Sequence, residues 1–244
     1  MRASAAFIGL LVVALAPWPA WADDPNAAKC AAPAELIQDD PRLPAVAREL
    51  KQHWPLVIVV IGGASTAGTA PDNAYPYFLE AALRQRHPNQ PITVINRGVA
   101  GNTSAEMADR FAEDVYSYRP SLVIWETGTV DAVRGEDVDS VAATLTDGLA
   151  AIKSHGAEAM LVDMQYNPNS VSVIDFEPYL DALHQAAQLQ DVYMFKRFDL
   201  MKYWSEAGDF DFTNAPREKR ASLAREVYEC LGARLADAID YAAH

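Results

Sequence analysis

The segment Gly62-Gly-Ala-Ser-Thr-Ala-Gly68 follows directly on an unbroken apolar run, Leu56-Val-Ile-Val-Val-Ile61. Glycines and hydroxyls at the end of such a run suit phosphate binding or an exposed nucleophile, so each pattern can be tested residue by residue. A dinucleotide fingerprint starting at Gly62 needs glycine at 64 and 67, where alanine stands, and an acidic ribose ligand where Asn96 and Arg97 stand. A phosphate loop has its glycine spacing in Gly63 and Gly68 but lacks lysine, since Thr69 and Ala70 follow. Both nucleotide readings are weak. As a nucleophile, Ser65 needs a base and an orienting group. The internal histidines His53, His87, His155 and His184 all fall on expected helices or their ends. The alternative is that Ser65, Thr66 and Thr69 bond the loop backbone and start the next segment.

Other polar residues stand at the ends of later apolar runs. Glu126, Asp131 and Asp163, with Gln165 and Tyr166, could bind a cation or accept hydrogen bonds from sugar hydroxyls. Capping of the following helices is the plainer role. No ligand pair has metal spacing, so neither metal nor cofactor is expected. Trp125 lies in an expected buried strand, whereas Tyr166 and Tyr75 stand in or beside loops and are candidates to stack on a ligand.

The elements that must position these residues alternate. Apolar runs Leu56–Ile61, Ile92–Ile95, Leu122–Trp125, Ala159–Val162 and Val192–Phe195 are separated by helical stretches near Tyr75–Arg86, Thr103–Tyr118, Val138–Ser154 and Phe176–Leu189. A last helix is expected from about Arg217 to Tyr241, with Leu223, Val227, Leu231, Leu235 and Ile239 along one stripe. Runs apolar at every position suit strands buried on both faces. Together these predict an α/β fold with a doubly wound, five-stranded parallel sheet, whose function sits in loops at the carboxyl ends of the strands.

Three of those loops resemble the SGNH/GDSL hydrolases. Gly62 and Gly68 bracketing Ser65-Thr66 resemble the first block, usually G-D-S-x-T/S-x-G. Arg97-Gly-Val-Ala-Gly-Asn-Thr103 resembles the second, with Gly101 in its glycine slot, and Gly128-Thr-Val-Asp131 resembles the third, G-x-N-D. Further segments, including Leu122–Glu126, Met164–Tyr166, Arg197–Trp204 and Tyr228–Gly232, are similar to a bacterial exported branch. The resemblance covers roughly residues 55–241 and implies a three-layer, flavodoxin-like sandwich. It also implies ester hydrolysis by a serine nucleophile, with a histidine base oriented by an aspartate three residues before it. The oxyanion would be held by the nucleophile's N–H, a glycine N–H and an asparagine side chain.

The sequence departs from that pattern where the chemistry sits. Aligning the glycines puts Ala64 in the nucleophile slot, and Val130 replaces the asparagine. No histidine occurs from Gln185 to Ala243; Lys219 and Ser222 stand near its expected place. The one literal D-x-x-H, Asp181-Ala-Leu-His184, lies inside a helix away from the expected rim and reads as a chance match. Gly101 survives, with Asp131 from the third block. Ser65 acting with a non-standard base, and Gly101 offering an oxyanion N–H, are the remaining catalytic candidates. Thr66, Asn102, Glu126, Thr129, Asp131, Asp163, Gln165 and Tyr166 are the cleft candidates.

The chain has 244 residues and a net charge of −13, which disfavours a nucleic-acid partner. Residues 1–22 have the layout of a signal peptide: Arg2, an apolar run Ala5–Ala16 too short to span a bilayer, and the small-x-small triplet Ala20-Trp21-Ala22. An uncut membrane anchor is the alternative. Residues 23–54 read as an arm and a helix, and 55–244 as the hydrolase-like domain, with no transmembrane segment after cleavage. Export makes one Cys30–Cys230 disulfide the economical reading, two unpaired thiols being the other. The expectation is an exported, periplasmic or secreted SGNH-like protein with lost or weakened hydrolysis that binds or helps process an acyl-ester or saccharide small molecule in the cell envelope. An active esterase using Ser65, and a structural partner in an envelope protein complex, are the competitors.

Overall fold

The computed structural model describes residues 29–244; the leader expected at 1–22 lies outside them. The chain runs α1 (Ala34–Ile37), α2 (Pro44–Gln52), β1 (Leu56–Gly62), α3 (Ala64–Ala67), α4 (Tyr75–Arg86), β2 (Ile92–Gly98), α5 (Ser104–Ala108) and α6 (Phe111–Asp114). It continues through β3 (Leu122–Glu126), α7 (Thr129–Arg134), α8 (Val138–Ser154), β4 (Glu158–Val162), α9 (Pro168–Val171) and α10 (Glu177–Leu189). β5 (Tyr193–Phe195), α11 (Arg197–Ala207) and α12 (Arg220–Ala242) complete it, with 3₁₀ turns at Tyr116–Tyr118 and Arg217–Lys219.

All strand pairs are parallel, in the order β2-β1-β3-β4-β5. This is the doubly wound, flavodoxin-like α/β sandwich that the alternating runs predict. Successive residues of β1 feed opposite layers. Ile58 and Val60 pack with Leu79, Trp204 and Leu235, from α4, α11 and α12, while Val59 and Ile61 pack with Phe111, Leu145 and Leu183, from α6, α8 and α10. Strand order reverses between β1 and β3, so their carboxyl ends open a crevice at that point.

The N-terminal arm is fixed to the body. Cys30 and Cys230 are disulfide-bonded, with their Cα atoms 5.1 Å apart. Trp204 Nε1 donates to the Ala31 carbonyl (2.8 Å), and the Ala45 and Val46 N–H groups, at the start of α2, donate to the Glu158 carboxylate (2.7 and 3.0 Å). Among the described residues, no helix is long and apolar enough to cross a membrane.

Two elements differ from expectation. The single helix over Thr103–Tyr118 is instead α5, α6 and a 3₁₀ turn. Thr103 and Glu106 close a capping box that starts α5, and Asp114 is tied to Arg97 on β2 as well as to Arg110 within the segment, which bends between its buried anchors Met107, Phe111 and Val115. Helix α11 has no local capping signal. Its cap comes from Asp163 after β4, whose Oδ1 accepts the Phe198 N–H at 2.7 Å.

Candidate active site

The crevice between β1 and β3 is built on glycines. A Cβ at Gly62 would lie 2.9 Å from Glu126 Oε2 and closer still to Thr66 Oγ1; one at Gly98 would lie 2.6 Å from the Thr66 carbonyl carbon. Glycine at both positions lets the turn into α3 lie directly on β2 and against the end of β3. The turn exposes Ala64 and buries Ser65 and Thr66.

Ser65 is only 4% exposed. Its Oγ donates to Glu126 Oε2 (2.8 Å) and accepts from Arg197 Nη1 (2.9 Å). Thr66 Oγ1 donates to the same carboxylate oxygen and lies 3.0 Å from the Tyr75 hydroxyl. Arg197 Nη1 stands 3.1 Å from Glu126 Oε1, and both side chains are almost fully buried. The result is an internal ion pair, clamped by two hydroxyls, that ties β1, β3 and the start of α11 together. Burial, reinforced by the Glu126 charge, raises the hydroxyl pKa values of Tyr75 and Tyr228. Arg197 Nε and Nη2 are buried without protein partners.

Several expected cleft residues therefore face inward. Thr66 and Glu126 belong to the buried pair. Asp131 accepts the Ser104 N–H (3.0 Å) and hydroxyl (2.6 Å), and so caps α5 from the first turn of α7. Asp163 caps α11. Tyr75 does not present a ring for stacking: it is buried in the core beside Thr66. Trp125 is core, its Nε1 directed at Met107 Sδ (3.4 Å).

Others line the rim. Gly101 is exposed with φ +83°, open space where a Cβ would stand, and a carbonyl that accepts from Arg134 Nη2 (2.7 Å); it is a turn glycine held by α7. Asn102 is half-buried, with Oδ1 unpartnered. Thr129 Oγ1 accepts the Gln165 N–H (3.1 Å), which joins the loops after β3 and β4. Val130 lies half-buried in the first turn of α7. Tyr166 packs edge-on against Phe198, with ring centroids 5.2 Å apart. Lys219 and Ser222 are exposed, and the Ser222 hydroxyl bonds the Lys219 carbonyl (2.9 Å).

A cavity of about 330 Å³ opens on this edge between the loop after β4 and the first half of α12. Gln165, Asn167 and Asn169 form one wall, Arg220 and Tyr228 stand opposite, and Met201 and Leu231 contribute apolar surface.

Sequence reasoning gave Arg197, the buried cation of the site, no role, and set His184 aside. The histidine sits half-buried on α10 with Nε2 3.6 Å from Asp163 Oδ2, so its carboxylate partner is Asp163 and not Asp181. The dismissal of His184 as remote from the rim is corrected by this contact with the end of β4. The sequence signals for Arg197 were its place just past the last apolar run and its place at the head of the Arg197–Trp204 segment that resembles the exported branch.

Residues 29–244 match the model of the non-GDSL lipase-like family. The chain belongs to that family. It is an esterase/lipase-like hydrolase family, and the resemblance to SGNH/GDSL hydrolases is borne out at this level. Over 144 residues the chain is 28% identical to an arylesterase of Vibrio mimicus, covering 56% of this chain and 70% of the relative. Among solved structures, LAE5, an alpha/beta hydrolase enzyme from the metagenome of Lake Arreo, superposes with a TM-score of 0.62 at 17% identity, over 75% of this chain and 98% of that one. Axe2, an acetylxylan esterase from Geobacillus stearothermophilus, superposes with a TM-score of 0.60 at 20% identity, over 77% and 94%. These two likenesses show the fold.

Proposed function

We propose that this member of the non-GDSL lipase-like family is exported and binds an acylated or saccharide small molecule in the cell envelope, without fast hydrolysis at its β1 edge. One observation carries the reading: Ala64 occupies the exposed position of the β1 turn, while Ser65 is turned inward onto Glu126 and Arg197. A serine buried at this position, whose hydroxyl donates to a carboxylate already paired with a guanidinium, has no histidine to act as base and no open path to a carbonyl. Val130 offers no oxyanion donor, a loss of about 10²–10³ in rate in enzymes that use one. The amide-walled cavity beside α12 supports ligand binding, since amides suit sugar hydroxyls and the apolar surface suits a short acyl group. The signal-peptide layout of residues 1–22 supports export, with mature material starting at Asp23; intact mass of the exported protein tests this.

The arylesterase relative favours a second reading, an active esterase using Ser65. Purified mature protein treated with a serine-reactive fluorophosphonate separates the two. The binding reading expects no label on Ser65, together with a rise in melting temperature on adding acetylated xylo-oligosaccharides. Labelling of Ser65, with turnover near 1 s⁻¹, an ordinary enzyme rate at the low end, overturns it.

A further inference from the structure

A second constellation lies on the β4–α10 side of the sheet edge, apart from the Ser65–Glu126–Arg197 cluster. Asp163 is buried at the end of β4; its Oδ1 is committed to the Phe198 N–H and its Oδ2 faces His184 Nε2 at 3.6 Å. The His184 side chain is 37% exposed, and its Nε2 is the buried nitrogen. The ring lines an open groove of about 590 Å³ whose apolar wall includes Val173, Ile174, Leu180 and Phe198. Val173 is 80% exposed, so the groove mouth carries an apolar surface with no cover from the described residues. A buried carboxylate against one nitrogen of a partly exposed imidazole places the ring proton on that side and leaves the lone pair of Nδ1 for a ligand.

We propose that Asp163 and His184 form a general-base pair that activates water against an uncharged short-chain carboxylic ester seated in this groove. His184 is the catalytic residue and Asp163 the positioning residue. In the reaction, the water oxygen bonds to the acyl carbon while its proton passes to Nδ1. The ester C–O bond then breaks, and the departing alkoxide takes that proton. The products are a carboxylic acid and an alcohol, with no covalent enzyme intermediate and no change of oxidation state. A pair separation of 3.6 Å is long for a hydrogen bond, as such pairs often are before substrate tightens them. The acyl chain has Val173, Ile174 and Leu180 to lie against. Asp175, Glu177 and Asp181 also line the groove and repel anionic esters, so the substrate carries no negative charge.

The groups around His184 set its pH behaviour. Asp163 faces it from β4, Asp181 lies one turn before it on α10, and Lys196 and Asp199 approach from the start of α11. Asp39, Asp40 and Asp191 share its second cavity. The hydrogen-bonding carboxylate of Asp163 raises the His184 pKa above its usual value, against a smaller opposing effect of burial. The rate should rise with pH through that raised value, because only the neutral ring is a base.

The test is hydrolysis of 4-nitrophenyl butyrate by the full mature protein, run against an equal concentration of free imidazole. The expected result is saturable turnover that fluorophosphonate leaves untouched and that His184→Gln lowers by about 10²–10⁴-fold, the usual range for a general base. His155→Gln, at an exposed histidine elsewhere, should match the parent. Asp163→Asn should lower kcat and shift the pH profile. Because it also removes a helix cap, Val173→Glu at the groove mouth serves as the fold-neutral variant and should raise KM. Turnover that does not saturate, or that survives His184→Gln, overturns the proposal. Labelling of Ser65 by the fluorophosphonate bears only on the binding reading of the β1 edge.

Discussion

Ser65→Ala distinguishes a structural hydroxyl from a nucleophile, because the two roles predict opposite readouts. In the folded protein Ser65 Oγ donates to Glu126 at 2.8 Å and accepts from Arg197 at 2.9 Å, at 4% exposure. Hydrogen bonds to charged groups contribute about 1.5–3 kcal/mol each, and a buried ion that loses one has no water to replace it. The two losses should not add in full. Glu126 keeps Thr66 as a donor, and the ion pair persists at 3.1 Å. The net expectation is a loss of about 2–3 kcal/mol, and for a chain of this size that lowers Tm by about 4–12 °C. Urea unfolding and a thermal scan of the parent and variant measure it, with ester turnover followed on the same samples. The structural role expects a clear stability loss and unchanged turnover per folded molecule. A variant as stable as the parent, or one that stays folded but loses turnover, refutes the reasoning and returns Ser65 to the nucleophile's role.

Three other outcomes can be checked alongside. Reducing Cys30–Cys230 opens a 200-residue loop, so the reduced protein should unfold at lower urea by up to about 5 kcal/mol, and non-reducing peptide mapping should recover the linked pair. Gly148→Ala should destabilise by about 1–2 kcal/mol. Its new Cβ would lie 2.6 Å from Trp125 Cζ3, and this overpacking outweighs the helix-propensity gain of under about 1 kcal/mol; a variant more stable than the parent would show that α8 can shift. His184 carries a pKa raised by Asp163, so the stability it contributes is full below about pH 6.5, its ordinary value, and is lost as pH rises through the raised one. His184→Gln should flatten the fall of Tm across that window, and an unchanged slope would sink the argument.

The layers of the fold were legible because each rests on local pattern. The Leu56–Ile61 run is apolar at every position, and the structure buries it on both faces by sending Ile58 and Val60 one way and Val59 and Ile61 the other. The Leu223–Ile239 stripe likewise predicts α12. What was not legible was set by contacts between distant segments. Nothing near Arg197 announces a helix start, since the carboxylate that caps α11 belongs to Asp163. Nothing near Thr103 announces a break, since the pull on Asp114 comes from Arg97 on β2. The direction of each polar side chain at the edge was hidden for the same reason. A carboxylate at a strand end reads equally as ligand or clamp until its partner on another element is known.

The pattern of outward and inward residues at the β1 edge bears on why a hydrolase-like fold keeps this turn. Catalysis by acyl transfer needs polar groups on the exposed side, aimed at a carbonyl, and an ordinary packed interior behind them. Here the arrangement is reversed. Ala64 stands exposed on the turn and Val130 half-buried at the start of α7, whereas Ser65, Thr66, Glu126 and Arg197 hold their polar atoms behind the turn. A buried ion pair is expensive to desolvate and costs several kcal/mol more if one partner is removed, so it acts as a specific latch between β1, β3 and α11 rather than as a general source of stability. Such a latch holds the crevice in one shape. On the proposed binding reading, a fixed crevice beside an amide-walled cavity suits a ligand, and ester chemistry falls to the base outside the turn, where His184 meets Asp163.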